Sequence, residues 1–343
     1  MKFFKKILKI AALAILLILA GFSIYIACSG PALSDESNEI ITRVIEDPLP
    51  EFVRGKAGFA TSQGLDIWYE SIMPETSPKG AVLLIMGISN DALGWPQQFL
   101  DAFVDSGYQV ISYDHRGVGM SDWVKNWDAS KPYSLGDMAA DAIAVLDTLG
   151  IQKANIVGVS MGGMIAQELV IRHPERAASL TSIASSGYIE DPDLPAISSA
   201  VAFDLIKVGL KYGIIGGEKN ILKLHLASRV ILMGDARYPL ETKVISEQVL
   251  YNIRKRRGYN MHVSPQHHAA VRLSGSRYEK LRFLSLPTLI IHGKSDPFIP
   301  IAHGKKCAEI IPNADTLWLD NMAHGIPGVL VDTLSKRMME GFR

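Results

Sequence analysis

Cysteine is nearly absent. Cys28 and Cys307 are the only two in 343 residues, which excludes a disulfide framework and a zinc site of four cysteines. Net charge is absent as well: Lys plus Arg and Asp plus Glu both number 35, which removes the bulk electrostatic case for a nucleic-acid partner. The sequence contains no H-E-x-x-H motif, internal repeat or low-complexity tract. Charged residues are only 20% of the chain against 48% apolar, so a disordered chain is excluded and a large buried core is affordable.

The balanced total hides an uneven distribution. Lys2, Lys5, Lys6 and Lys9 stand in the first ten residues and no acid precedes Asp35, so the remainder is mildly acidic. Residues 10–26, IAALAILLILAGFSIYI, carry no charge. As a helix they would span about 25 Å, and Ile7 and Leu8 extend this toward a hydrocarbon core of about 30 Å. Lysines before the run and polar Ser34 to Glu39 after it predict the N-terminus in the cytoplasm and the body outside, anchored at a membrane. Three outcomes stay open: a retained signal-anchor, a lipoprotein signal ending at Cys28, where Ala27 is the small preceding residue, and a cleaved signal peptide with secretion. Residues 1–29 are thus the targeting segment. Residues 30–55, with Gly30, Pro31, Pro48 and Pro50, read as a linker that tethers the body.

Two β-rich runs, 56–62 and 65–72, flank Gln63-Gly64 and predict a hairpin. From residue 81 the pattern changes to short, continuously apolar strands (81–87, 109–114, 155–160, 178–184) that alternate with helical stretches. Strands apolar on both faces belong to a parallel sheet covered by helices on both sides. Ser134 with Asp137 predicts a capping box that opens a helix closed by Gly150. Between residues 186 and 280 the alternation gives way to helical runs, expected as a cap over one end of the sheet. It resumes with strands at 288–293 and 316–320. The expected fold is α/β, with a mostly parallel eight-stranded sheet whose core comprises residues 56–185 and 281–343.

Gly158-Val159-Ser160-Met161-Gly162 fits G-x-S-x-G at the end of an apolar strand and the start of a helix, where the glycines permit a sharp turn that presents a serine hydroxyl. Such a hydroxyl needs a base, and the base an orienting carboxylate. Asp296 follows the strand TLIIHG and His324 follows TLWLD, giving the chain order Ser, Asp, His at strand ends. An oxyanion hole would use the amide of Met161 and an amide after the strand AVLLIMG, for which Ile88 is chosen. Asp114, His115 and Arg116 form a polar cluster after a strand. Adjacent His267 and His268 face different directions and do not suggest a shared metal. Trp95 could line a pocket or fill core, and the run Arg254 to Arg257 reads as a solvated surface with a possible contact to anionic lipid.

The stretches LLIMGISNDALGWPQQF (83–99), GYQVISYDHRGVGMSD (107–122), IVGVSMGGMIAQELVIRHPERAASLTSI (156–183) and PTLIIHGKSDPFIPIAHG (287–304) resemble the serine α/β-hydrolases of the esterase type, in the group that includes aclacinomycin methylesterase. The resemblance covers most of residues 56–343, is weak through the cap and omits the N-terminal segment. It implies the α/β-hydrolase fold, Ser160, Asp296 and His324 as a triad, a loop-bracing role for Asp114, His115 and Arg116, and hydrolysis of a carboxylic ester through an acyl-enzyme. Met86-Gly87 stands where many of these enzymes carry His-Gly, which removes a side chain and keeps the amide. The expected substrate is a small-molecule ester with an apolar part, and no metal or organic cofactor is implied. Alternatives on the same three residues are lactone or carbon–carbon bond hydrolysis and acyl transfer; a non-catalytic binding protein is the alternative of another class.

Overall fold

The computed structural model describes residues 31–214 and 216–342, together with residues 4, 21, 25 and 26. The targeting segment expected over residues 1–29, including Cys28, lies outside the described residues apart from those four positions. Among the described residues, no helix is long and apolar enough to cross a membrane.

Eight strands form one sheet: β1 (Lys56–Ser62), β2 (Leu65–Ile72), β3 (Ala81–Ile85), β4 (Gln109–Tyr113), β5 (Ala154–Val159), β6 (Ala177–Ile183), β7 (Thr288–Gly293) and β8 (Asp315–Leu319). Their order is β1-β2-β4-β3-β5-β6-β7-β8. The β1–β2 hairpin is antiparallel and β2 runs antiparallel to β4, while every pair from β4 to β8 is parallel. Strands β3, β5, β6 and β7 are buried at every position, as a sheet covered on both faces requires. One face packs on α3 (Leu135–Thr148) and α4 (Met161–Arg172), with Leu146, Ile165 and Leu169 in the core. The other packs on α2 (Gln97–Asp105) and α11 (Val331–Glu340) through Phe99, Phe103, Leu334 and Met338. Trp95 belongs to this second core and stacks on Phe99, with ring centroids 5.4 Å apart, so it is core rather than pocket. The capping box at Ser134 and Asp137 forms in both directions.

Between β6 and β7 lie α5 (Ser199–Val208), a π-helical turn (Gly209–Gly213), α6 (Glu218–Met233), α7 (Thr242–Lys255), α8 (Val263–Ser274) and the short α9 (Tyr278–Leu281); α10 (Ile301–Ile310) follows β7. Bonds from this block reach the C-terminal ends of the strands: the His324 amide donates to the Leu232 carbonyl, and Asn260 Nδ2 donates to the Gly117 carbonyl at 3.0 Å.

The linker expected over residues 30–55 requires correction. Residues Asp35–Glu46 are a helix, α1, opened by Ser34, whose hydroxyl accepts from the Ser37 amide, and carrying Asp35 and Glu36 in its first turn. Its apolar residues recur at helical spacing. Ile41 and Val44 are buried against Leu222 and Leu226 of α6 and Val249 and Leu250 of α7. Burial of each contributes about 1.5–3 kcal/mol, enough to dock a helix that prolines and charges make look like a tether.

Candidate active site

Ser160 occupies the junction of β5 and α4 with φ 56° and ψ −123°, a left-handed conformation that side-chain-bearing residues seldom adopt. Its neighbours make the turn possible. A Cβ at Gly158 would overlap the Gly162 carbonyl, and one at Gly162 would overlap the Ile85 carbonyl, so both positions require glycine. The Ser160 amide donates to the Ile183 carbonyl at 2.8 Å, and the Ser185 hydroxyl donates to the Ser160 carbonyl at 2.7 Å. These bonds hold the turn from the adjoining strand. The hydroxyl is thereby fixed at the sheet's C-terminal edge, over the start of α4.

The three residues expected to act together are brought together. Ser160 Oγ lies 3.0 Å from His324 Nε2, and His324 Nδ1 lies 2.8 Å from Asp296 Oδ2. With Nδ1–H donating to the carboxylate, Nε2 is left as the acceptor for the serine proton. All three are buried. Asp296 Oδ1 accepts from the amides of Phe298 and Ile299, each at 2.9 Å, so both oxygens are engaged. Burial works against the charged carboxyl, but the charge of His324 and bonds from His292 and His324 outweigh it and hold Asp296 well below the usual carboxylate range. The ring of Phe298 meets that of His324 edge to face at 5.1 Å and limits its rotation.

His292 was not singled out from the sequence. It is fully buried near the end of β7, its Nε2 2.9 Å from the Ile299 carbonyl and 3.4 Å from Asp296 Oδ2. The available signal was a polar residue inside the apolar run TLIIHG, four residues before an aspartate.

Met161 is the first residue of α4, where the helix itself supplies no partner for the amide. Ile88 follows Gly87, whose added Cβ would sit 3.3 Å from Ser160 Cβ, so the loop backbone passes directly beside the hydroxyl. The polar groups flanking Ile88 N–H are taken. His115 Nε2 lies 2.8 Å from the Met86 carbonyl, the Ser89 amide donates to His267 Nδ1 at 3.1 Å, and the Ala92 amide donates to Asp114 Oδ1 at 2.9 Å. Burial pushes the His115 and His267 pKa values down to about 4 and about 3, so both imidazoles are neutral struts. His267 Nε2 sits 3.1 Å from the Arg116 carbonyl and joins α8 to the loop after β4. His115 was expected in a loop brace; His267 was not expected to do this from the sequence. Arg116 is paired with buried Asp141 by two bonds of 2.6 and 2.7 Å, in keeping with a brace.

In the run Arg254 to Arg257, Arg254, Lys255 and Arg257 are exposed as expected, and Arg256 alone requires correction. The Arg256 side chain is only 3% exposed, its guanidinium bonded to Asp114 Oδ2, 3.8 Å from Asp91 Oδ1 and 4.3 Å from the centroid of Trp68. It follows the last residue of α7, where an extended backbone turns the side chain inward. Arg257 stacks over Trp123 and donates to the Ser121 carbonyl. Burial raises Asp114, and burial together with Asp114 pushes Asp91 up to about 6 against the opposing charge of Arg256. The guanidinium therefore neutralises carboxylates on both loops beside the site. Arg256→Met should destabilise the fold by about 3–5 kcal/mol, because two buried acids lose their counter-ion. Acids with raised pKa bind protons more readily in the folded state, so the deficit should shrink as pH falls from 8 toward 5; denaturant midpoints across that range check both statements.

A cleft of about 320 Å³ lined by Gln63, Arg116, Trp127, Lys131 and Tyr133 does not include Ser160, Asp296 or His324. Among the described residues, no group of three or more His, Cys, Asp or Glu side chains is arranged to hold a metal ion.

Comparison with known proteins agrees with this architecture. Residues 80–326 match the family model described as the alpha/beta hydrolase fold. The chain is 28% identical over 284 residues to a rhodomycin D methylesterase of Streptomyces sp. (strain C5), covering 78% of this chain and 91% of that protein. It is 27% identical over 289 residues to a bifunctional esterase/perhydrolase of Acinetobacter calcoaceticus, covering 82% and 98%. Among solved structures, an esterase from Exiguobacterium antarcticum superposes with a TM-score of 0.64 at 19% identity, covering 84% of this chain and 97% of that one. The chain belongs to the α/β-hydrolase fold family.

Proposed function

We propose that this hydrolase cleaves small-molecule esters with an apolar part through an acyl-enzyme on Ser160, and that residues 1–29 hold the body at the outer side of a membrane. The observation that carries the chemistry is the hydrogen-bonded chain from Ser160 Oγ through His324 to Asp296, set on a strained strand-to-helix turn. His324 Nε2 takes the serine proton as Oγ bonds to the ester carbonyl carbon. The oxyanion that forms is held by the amides of Ile88 and Met161. Collapse of this intermediate expels the alcohol, which receives the proton from His324. Water then attacks the acyl-enzyme with His324 as base and releases the acid. Asp296 stays ionised throughout, fixes the imidazole tautomer and stabilises the imidazolium.

The methylesterase likeness favours an ester with a small alcohol on a larger apolar acid as the first substrate class to assay. A panel of chromogenic and methyl esters, run with the full chain in detergent, tests the activity: turnover of apolar esters is expected, and a folded protein that turns over none contradicts it. The uncharged run at residues 10–26 behind four lysines supports the tether. Cell membranes carrying the full chain should retain it through alkaline carbonate and release it to detergent. Release by carbonate alone would overturn the tether while leaving the esterase reading intact.

A further inference from the structure

The helix α5 is apolar on two opposite sides. Val201, Leu205, Val208 and Tyr212 form one side and pack with Ala227 and Ile231 of α6. Phe203, Ile206 and Leu210 recur at spacings of three and four on the other, within an arc of about 60°, and Ile214 follows one turn later. These four side chains are exposed, Ile206 by 58% and Ile214 by 73%, where a water-facing helix carries polar residues. Met261, also exposed, reaches Gly213 and widens the patch. An apolar patch of this extent on a protein surface marks a contact with something else.

Two observations identify what covers it. Cationic side chains border the patch: Lys207, ion-paired with Asp204 of the same helix, lies over the ring of Phe203 at 5.1 Å, and Lys211 lies over the ring of Tyr212 at 5.4 Å. A stripe of bulky apolar groups edged by lysines matches the boundary between acyl chains and anionic headgroups. The chain that follows the N-terminal segment also meets the body at α6, where Leu33 packs with Ile221 and Leu222, and α6 is the helix against which α5 lies. We propose that the outer face of α5 and the π-helical turn docks into the surface of an anionic lipid bilayer. This inference rests on the tether reading above and extends it, giving the body a fixed orientation rather than free motion on a leash. Because α6 joins α5 to the His324 loop through the Leu232 carbonyl, docking sets the hydrolytic centre one helix away from the lipid surface.

The test uses the full chain reconstituted in vesicles of phosphatidylcholine and phosphatidylglycerol, with photoreactive p-benzoylphenylalanine replacing Ile206. A second protein carries it at Met73, which is exposed at the opposite end of the sheet. Unchanged ester hydrolysis establishes that each is folded. Lipid adducts at position 206 with none above background at 73 are expected. Adducts chiefly to residues 1–29 or to a second copy of the chain, equal lipid labelling at both positions, or no adduct would overturn the docking surface. Flotation separates the two readings: a chain that floats with the vesicles but gives no lipid adduct at 206 overturns docking alone, and one that stays in the aqueous fraction overturns tether and docking together.

Discussion

Ser160→Ala is expected to lower kcat for ester hydrolysis by about a millionfold while leaving the fold and the substrate affinity nearly unchanged. The substitution removes the atom that forms the covalent bond, and no other hydroxyl stands 3.0 Å from His324 Nε2 in the described hydrogen bonds. Alanine keeps the serine Cβ and hence the same backbone strain at φ 56°, and the bonds that hold the turn run through the Ser160 amide and carbonyl, which the substitution retains. A thermal midpoint within a few degrees of the parent, beside lost turnover, separates chemical loss from unfolding. Any residual rate is expected from the proposed oxyanion donors, the amides of Ile88 and Met161, acting on bound ester with water as nucleophile.

His324→Ala should produce a loss of the same order, and the double variant with Ser160→Ala should be no worse than either alone. Residues that act as one unit lose their whole contribution when any member is removed. The His324 amide bond to Leu232 survives the substitution, so the loop and the α6 contact persist. Asp296 keeps two backbone amides and His292 as partners. Steady-state kinetics of the three variants check this. Losses that multiply in the double variant would indicate that Ser160 and His324 act in separate steps.

Much of this site was legible in the sequence because its residues obey local rules. Gly158 and Gly162 announce a turn that no other residue fits, and continuously apolar β5 and β7 locate Ser160 and Asp296 at the same edge of a parallel sheet. What stayed hidden depends on partners distant in the chain. Arg256 reads as one of four surface cations until Asp114 and Asp91, more than 140 residues earlier, are placed beneath it. His267 reads only as one of two adjacent histidines that face different directions, yet it bonds the Ser89 amide across 178 residues. The prolines and charges around α1 resemble a linker, and only the apolar surface of α6 and α7 gives Ile41 and Val44 somewhere to go. Which amide points at an oxyanion is likewise set by how the neighbouring polar groups are satisfied, not by the identity of Ile88.

The most direct test of the central claim is mass spectrometry of the full chain after reaction with an alkyl phosphonate ester probe, which phosphonylates an activated serine. One adduct per chain on Ser160, and none in His324→Ala, is the predicted result. An adduct on another residue, or unhindered ester turnover by a chain whose Ser160 is fully phosphonylated, would contradict it.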